Sequence, residues 1–430
     1  MNGEKDLPAR PRLEQYTTQA NDLLKAFKSS DPEATRWVRR YHPRLPGRPD
    51  TNDRNTVTNS ELRRLKLSVA DAEFVIARQH QFENWLRFAK HIEALNQNDS
   101  TASRFEAAVD AIITGDITTL KRLLREDPKL IRARSTRQHR ATLLHYVGAN
   151  AVEGYHQKTP KNAGKVAEVL LTAGAEVDAD LDYGAMRRRY PERTGSTTLG
   201  LVATSCHPAV AGVQIALLGI LLKYGASVDG IPGGWNPLIA ALHNGRGQAA
   251  AHLAKRGARL DLEGAAGVGR LDVVKSFFNK DGSLRANATR TQLEAGLMWA
   301  CEYGRARVVD FLMNKGVNAA AQPHGETALH WAAYAGHAAT VKVLLKGKAQ
   351  VHIKDKRFGG TPLGWALYGW CERPVEADHG GYYEVVARLV ANGATVEQEW
   401  LADPDRELPI PKKVGADRRM LAALHGTILP

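Results

Sequence analysis

Apolar residues in this chain fall in short bursts at helical spacing, separated by polar breaks marked by glycine, and the bursts recur. Leu329, Ala332 and Ala333 form one burst, and Val341, Leu344 and Leu345 form the next. The i, i+3, i+4 spacing puts each set on one face of a helix. Ala332 and Ala333 are short, so the first helix can pack closely. Gly336 stands between the two, where a reversal needs a residue that accepts positive φ without strain. After a polar link through Val351-His352-Ile353-Lys354-Asp355, Thr361-Pro362-Leu363-Gly364-Trp365 restarts the pattern 34 positions after Thr327. Upstream copies start near Phe105, Thr142, Thr197, Asn236, Leu262 and Leu297. Tails of one kind close several copies: Gly174-Ala175-Glu176-Val177-Asp178, Gly225-Ala226-Ser227-Val228-Asp229 and Gly257-Ala258-Arg259-Leu260-Asp261.

The unit from Gly325 to Asp355 resembles the ankyrin repeat, a β-turn and two helices in about 33 residues. About eight tandem copies over residues 103–400 imply an all-α ankyrin-repeat solenoid of helix-turn-helix units with β-turn fingers. One unit cannot bury its own apolar face, so each depends on its neighbours. In this family a repeat histidine ties helix to finger by hydrogen bonds, and His145 and His330 hold that position.

Residues 1–100 do not follow the repeat and predict a small N-terminal helical region. Leu13 to Lys28 reads as a helix with Leu23, Leu24 and Phe27 on one face. Asp31-Pro32-Glu33 is a helix start, with an aspartate cap and proline at the first position. That helix runs to about Tyr41, and residues 43–60 read as a mobile, proline-marked loop. Ser68 opens a third helix, to about Gln79, and Phe82 to Leu95 a fourth. Ala72, Val75, Ile76, Phe82, Trp85, Phe88 and Ile92 are the expected core. Residues 401–430 leave the repeat, and Arg418 to His425 reads as a short capping helix. The stretch Asp71 to Trp85, with His145 to Asn162 and Trp365 to Trp370, is similar to a group of bacterial ankyrin-repeat proteins. That resemblance implies a soluble bacterial protein and transfers no catalytic motif.

Three copies are stretched between their helices. Gly336 to Lys348 spans 12 positions, whereas Ala151 to Gly174 and Trp370 to Gly393 span 23 each, and Cys206 to Gly225 spans 19. The added residues, near 152–163, 207–213 and 371–382, are expected to sit as loops along one edge.

Composition narrows the function. Three cysteines fit a reducing compartment better than a disulfide scaffold. The start carries no secretory signal, and no apolar run approaches the roughly 20 residues of a membrane span. The expected location is the cytoplasm. Net charge is +13, yet residues 1–100 hold 17 Lys/Arg against 14 Asp/Glu, so no basic arm accounts for it. Gly264-Ala265-Ala266-Gly267-Val268-Gly269 superficially suggests a dinucleotide loop but falls where a repeat's first helix belongs. Cys371, Glu372, Asp378 and His379 share one insertion without a second close ligand pair, so no metal site and no cofactor are assigned.

The leading reading is a non-enzymatic protein that binds a protein partner. The alternative is an enzyme or small-ligand protein whose site is built by the insertions. Trp299, Trp331 and Trp365 share one repeat position and are expected to pack between repeats. Tyr303, Tyr334 and Tyr368 lie three or four residues further on, as a ladder of interface anchors or as half-buried tyrosines packing together. Arg132, Arg134, Arg137, His139 and Arg140 fall in one finger, and Arg187, Arg188, Arg189 and Arg193 in the next. Stacking would bring these cations together, and arginine's planar fork suits carboxylates and phosphates. The functional reading is an acidic or phosphorylated segment docking across the two fingers; the plain reading is solubility. Nucleic acid fits poorly, because only Tyr183 and Tyr190 interleave the patch. Oligomeric state is left open.

Overall fold

The computed structural model describes residues 7–8, 11–42, 65–97, 99–181, 196–372, 380–401 and 409–427. The expected loop at 43–60, Tyr183, Arg187, Arg188, Arg189, Tyr190, Arg193, Asp378 and His379 lie outside them. The regular structure of the described residues is helical, apart from two isolated antiparallel bridges, Arg134 with Thr142 and Phe278 with Leu284. The chain forms two compact units, Met1–Ala240 and Ala241–Pro430.

The first unit opens with helices Leu13–Lys28, Pro32–Tyr41, Val69–Gln79 and Trp85–Leu95. Their starts follow the local chemistry. Asp31 accepts the Ala34 N–H at 2.8 Å with Pro32 at the first position. Ser68 and Asp71 exchange bonds across the first turn, with the Asp71 N–H donating to Ser68 Oγ at 3.1 Å. Asn84 caps the fourth helix three residues after Gln81 takes positive φ, so this helix begins later than the apolar pattern suggests. Tyr16, Ala20, Val38, Ala72, Val75, Ile76, Phe82, Phe88 and Ile92 close around one another as a single cluster, with Trp85 packed on its edge.

Helix pairs follow: Thr101–Thr114 with Ile117–Glu126, the short 3₁₀ turn Leu143–Gly148 with Ala163–Thr172, and Thr198–Thr204 with Gln214–Lys223. The second unit repeats the plan. Leu262–Val268 pairs with Leu271–Ser276, Arg290–Glu302 with Ala306–Asn314, Ala328–Tyr334 with Ala338–Lys346, and Pro362–Glu372 with Gly380–Ala391. One apolar cluster runs through these pairs, from Leu262 and Val274 through Leu297, Leu329 and Leu363 to Val385 and Leu389. A last short pair, Pro409–Gly415 and Arg418–Leu424, adds Val414, Met420, Ala423 and Leu424 to the same cluster. It covers what would otherwise be an open apolar end, the common solution in stacked arrays.

The repeat histidines do what their position implies. His330 Nδ1 accepts from the Thr327 N–H at 3.2 Å, and Nε2 donates to the Gly360 carbonyl at 3.1 Å. His145 bonds Thr142 and the Ala179 carbonyl in the same way, at 3.0 Å each. Each histidine thus locks a helix start to the finger that follows.

Candidate functional site

Equivalent glycines set the register of the second unit. Gly269, Gly304 and Gly336 all take positive φ at the end of a first helix. Counting back from them, Trp299, Trp331 and Trp365 occupy one position, two residues after the buried Leu297, Leu329 and Leu363. The next equivalent set is Gly267, Glu302, Tyr334 and Tyr368. Tyr303 sits one place later, so it is not a rung of the same ladder. Its side chain turns back: the hydroxyl donates to the Leu242 carbonyl and the ring lies against Gly247. Burial raises the phenol further. Tyr303 is thus half-buried, held against Leu242 and Gly247 within the second unit.

The tryptophans form a continuous row, with ring centroids 6.4 Å apart for Trp299–Trp331 and 5.3 Å for Trp331–Trp365. Trp299 is 5% exposed and donates its indole N–H to Glu263 at 2.6 Å. The other two are half-buried. Tyr334 meets Trp365 edge-on at 5.8 Å and stacks on Tyr368 at 6.3 Å. Tyr368 is 51% exposed. The row thus climbs from buried to open toward the C-terminal repeats.

The neighbouring finger holds the open end rigid. Asp355 accepts the backbone N–H of Arg357, Phe358 and Gly360 at 2.8, 2.6 and 2.7 Å, and the Trp365 indole N–H at 3.1 Å. Burial would raise this carboxyl, but the donors outweigh it and hold it below its ordinary value. At the tip Phe358 is 71% exposed, with the Arg357 guanidinium over its ring. Tyr382 closes the other side by donating to the Tyr334 carbonyl at 2.8 Å. Gly369 makes that approach possible, since a Cβ there would stand 2.1 Å from the same carbonyl oxygen. Phe358 and the Asp355 clamp carry no aromatic-ladder signal in sequence; the aspartate three residues before an exposed Phe was the available cue.

Of the arginine set of the first unit, the described members Arg132, Arg134, Arg137 and Arg140 do not share one surface. Arg137 is 2% exposed and lies inside. It pairs with Glu106 and, through Nε at 2.9 Å, with Glu153, and donates to the Tyr155 hydroxyl at 3.1 Å. His139 bonds Glu153 at 2.9 Å, Tyr146 donates to it at 3.2 Å, and His156 meets its other oxygen at 3.2 Å. Burial would raise the Glu153 carboxyl, but Arg137 and His139 outweigh it and hold it well below the carboxylate range. Arg134 is also committed, donating to the carbonyls of Arg140 and Asp180 at 3.0 and 2.7 Å. Among the described arginines of this set, Arg132 and Arg140 are the exposed ones. The insertion near 152–163 follows the same inward course, because Val152, Glu153 and His156 are buried. A buried arginine looks like any other in sequence; the partner acid, Glu106, stands 31 residues away.

The suggested dinucleotide loop is the helix Leu262–Val268, capped by Asp261. Among the described residues no cluster of His, Cys, Asp and Glu is arranged to hold a metal ion, and no helix is long and apolar enough to cross a membrane.

A family model described as ankyrin repeats (3 copies) matches residues 262–355 and 297–399. Those residues are ankyrin repeats. A palmitoyltransferase named AKR1, from Lachancea kluyveri, is 28% identical over 169 residues, covering 30% of this chain and 21% of that protein. This chain therefore spans about a fifth of that relative. Among solved structures, the human ASB11 ankyrin repeat domain matches 67% of this chain and 99% of its own, at 17% identity and a TM-score of 0.34. The ankyrin repeat domain of Bcl-3, described as a unique member of the IkappaB protein family, matches 60% and 93%, at 19% identity and a TM-score of 0.29. The aromatic row thus runs along the first helices of consecutive ankyrin repeats.

Proposed function

We propose that this chain is a non-enzymatic binding protein that holds a protein partner on the first-helix face of its second unit. The observation that carries the reading is the open end of the aromatic row, where Tyr368 stands exposed past a braced Trp365, with Phe358 exposed on the finger whose Asp355 braces it. Large aromatics on rigid supports are the commonest anchors of protein interfaces. Here the supports are paid in advance, because Asp355 and Tyr382 already fix the rings before any partner arrives. Tyr334, Trp331 and Trp365 extend the same surface. The three cysteines, all free, fit work in the cytoplasm. A site built from the insertions has weaker support, since Val152, Glu153 and His156 of the segment 152–163 are buried.

The test is site-specific photo-crosslinking in the native host, with a benzophenone amino acid at Phe358. A discrete adduct with one protein is expected. The same partner should then be lost from Tyr368→Ala protein whose melting temperature is unchanged. Equal capture by the variant would move binding away from this face.

A further inference from the structure

The positive charge of this chain is concentrated. Residues 117–172 hold 11 Lys/Arg and 4 Asp/Glu, an excess of seven out of the chain's +13. In the first unit, helices Ile117–Glu126 and Ala163–Thr172 border an open groove of about 730 Å³ that Tyr224 also lines. Lys121 and Arg125, one helical turn apart, rise from one wall, and Lys165 from the other. All three are exposed. Arg122, their neighbour, is engaged by Glu126 at 2.9 Å, whereas none of these three enters an ion pair among the described residues. Glu168 is the one acid on the lining. Ile117, Leu124 and Val169 give the groove an apolar floor.

We propose that this groove docks an acidic, amphipathic peptide segment of a partner protein, at a surface separate from the aromatic face. Cations on both walls would meet the carboxylates, and the floor would take one apolar stripe. A phosphate backbone gains nothing from such a floor. Tyr224 is the one aromatic on the lining, its hydroxyl bonded to Thr172 at 3.3 Å and one face under Lys223, which is short of the row of rings a single strand stacks on.

The probe is a fluorescein-labelled peptide of Glu, Leu and Ala at helical spacing, about 15 residues or roughly 22 Å as a helix. Fluorescence anisotropy with the full chain should give saturable binding that weakens as salt rises. The triple variant Lys121→Glu, Arg125→Glu and Lys165→Glu should bind about tenfold more weakly or worse. Lys280→Glu, Lys342→Glu and Lys346→Glu, the same charge change on the second unit, should leave binding intact, as should Phe358→Ala with Tyr368→Ala. Because reversal could unfold the helices, Lys121→Gln, Arg125→Gln and Lys165→Gln is measured alongside, and its loss should be intermediate with an unchanged melting temperature. The proposal is overturned by equal loss in the control triple, which marks general charge attraction. It is equally overturned if the groove variants bind normally, or if a peptide with its leucines changed to serine, single-stranded DNA or anionic vesicles bind the groove as well as the probe does.

Discussion

His145 and Arg137 show how single side chains were committed to structure. Burial pulls His145 down to about 3 from its ordinary 6.5, and the ring stays neutral so that Nδ1 can accept from Thr142. A depressed histidine contributes stability above its unfolded value and loses it as pH falls toward the folded one. The unfolding free energy from urea titration should therefore fall between pH 7 and pH 5, by roughly 1–2 kcal/mol from this group. His156 has the opposite sign. Burial would lower it, but the carboxylates of Asp110 and Glu153 outweigh that and raise it to about 9. Its contribution is full below 6.5 and lost as pH rises through about 9, so His156→Gln should flatten the stability profile on the alkaline side. An unchanged profile in that variant would show that His156 is not charged in the fold. Arg137 gives the larger effect. Replacing it with Met takes the guanidinium away from both Glu106 and Glu153, which should cost about 3–5 kcal/mol in denaturant unfolding.

At the scale of the element, small residues decide how closely first helices approach. Gly267 lies within its helix, where a Cβ would come within 2.6 Å of Leu242 and 3.3 Å of the Trp299 Cβ. Gly267→Ala should destabilise by about 1–3 kcal/mol, although alanine is the better helix former. A stabilised variant would mean that the two helices can move apart. Leu329 is fully enclosed in the shared cluster, and Leu329→Ala should cost roughly 2–5 kcal/mol. The register of these helices also explains the one misplaced rung. Spacing from the tryptophans made Tyr303, Tyr334 and Tyr368 look alike. A single residue of offset is about 100° of helix rotation, enough to turn Tyr303 from the open face onto Leu242.

For the whole molecule, each ankyrin repeat touches chiefly its neighbours, so damage should spread by adjacency. Hydrogen exchange in the Leu329→Ala protein should quicken first in Arg290–Glu302 and Pro362–Glu372, with Leu13–Lys28 unaffected. Uniform loss of protection would instead indicate one cooperative unit. The fold itself was legible in the chain, because repeat architecture is written locally: a helical apolar stripe, a glycine at the reversal, and a cap at the start. The expected helices Leu13–Lys28 and Pro32–Tyr41 depend on such local terms alone. The candidate surfaces were legible only in part. The tryptophan row could be found by its recurrence, whereas the fate of Arg137 depends on Glu106 and Glu153, which only chain folding brings to it. Exposure of Phe358, half-burial of Tyr303 and the cationic walls of the groove are likewise products of packing. Sequence alone determined which elements form, since short-range sterics and hydrogen bonds act within a few residues. Tertiary structure alone decided which side chains remain free to meet a partner, since burial and charge pairing are set by residues distant along the chain.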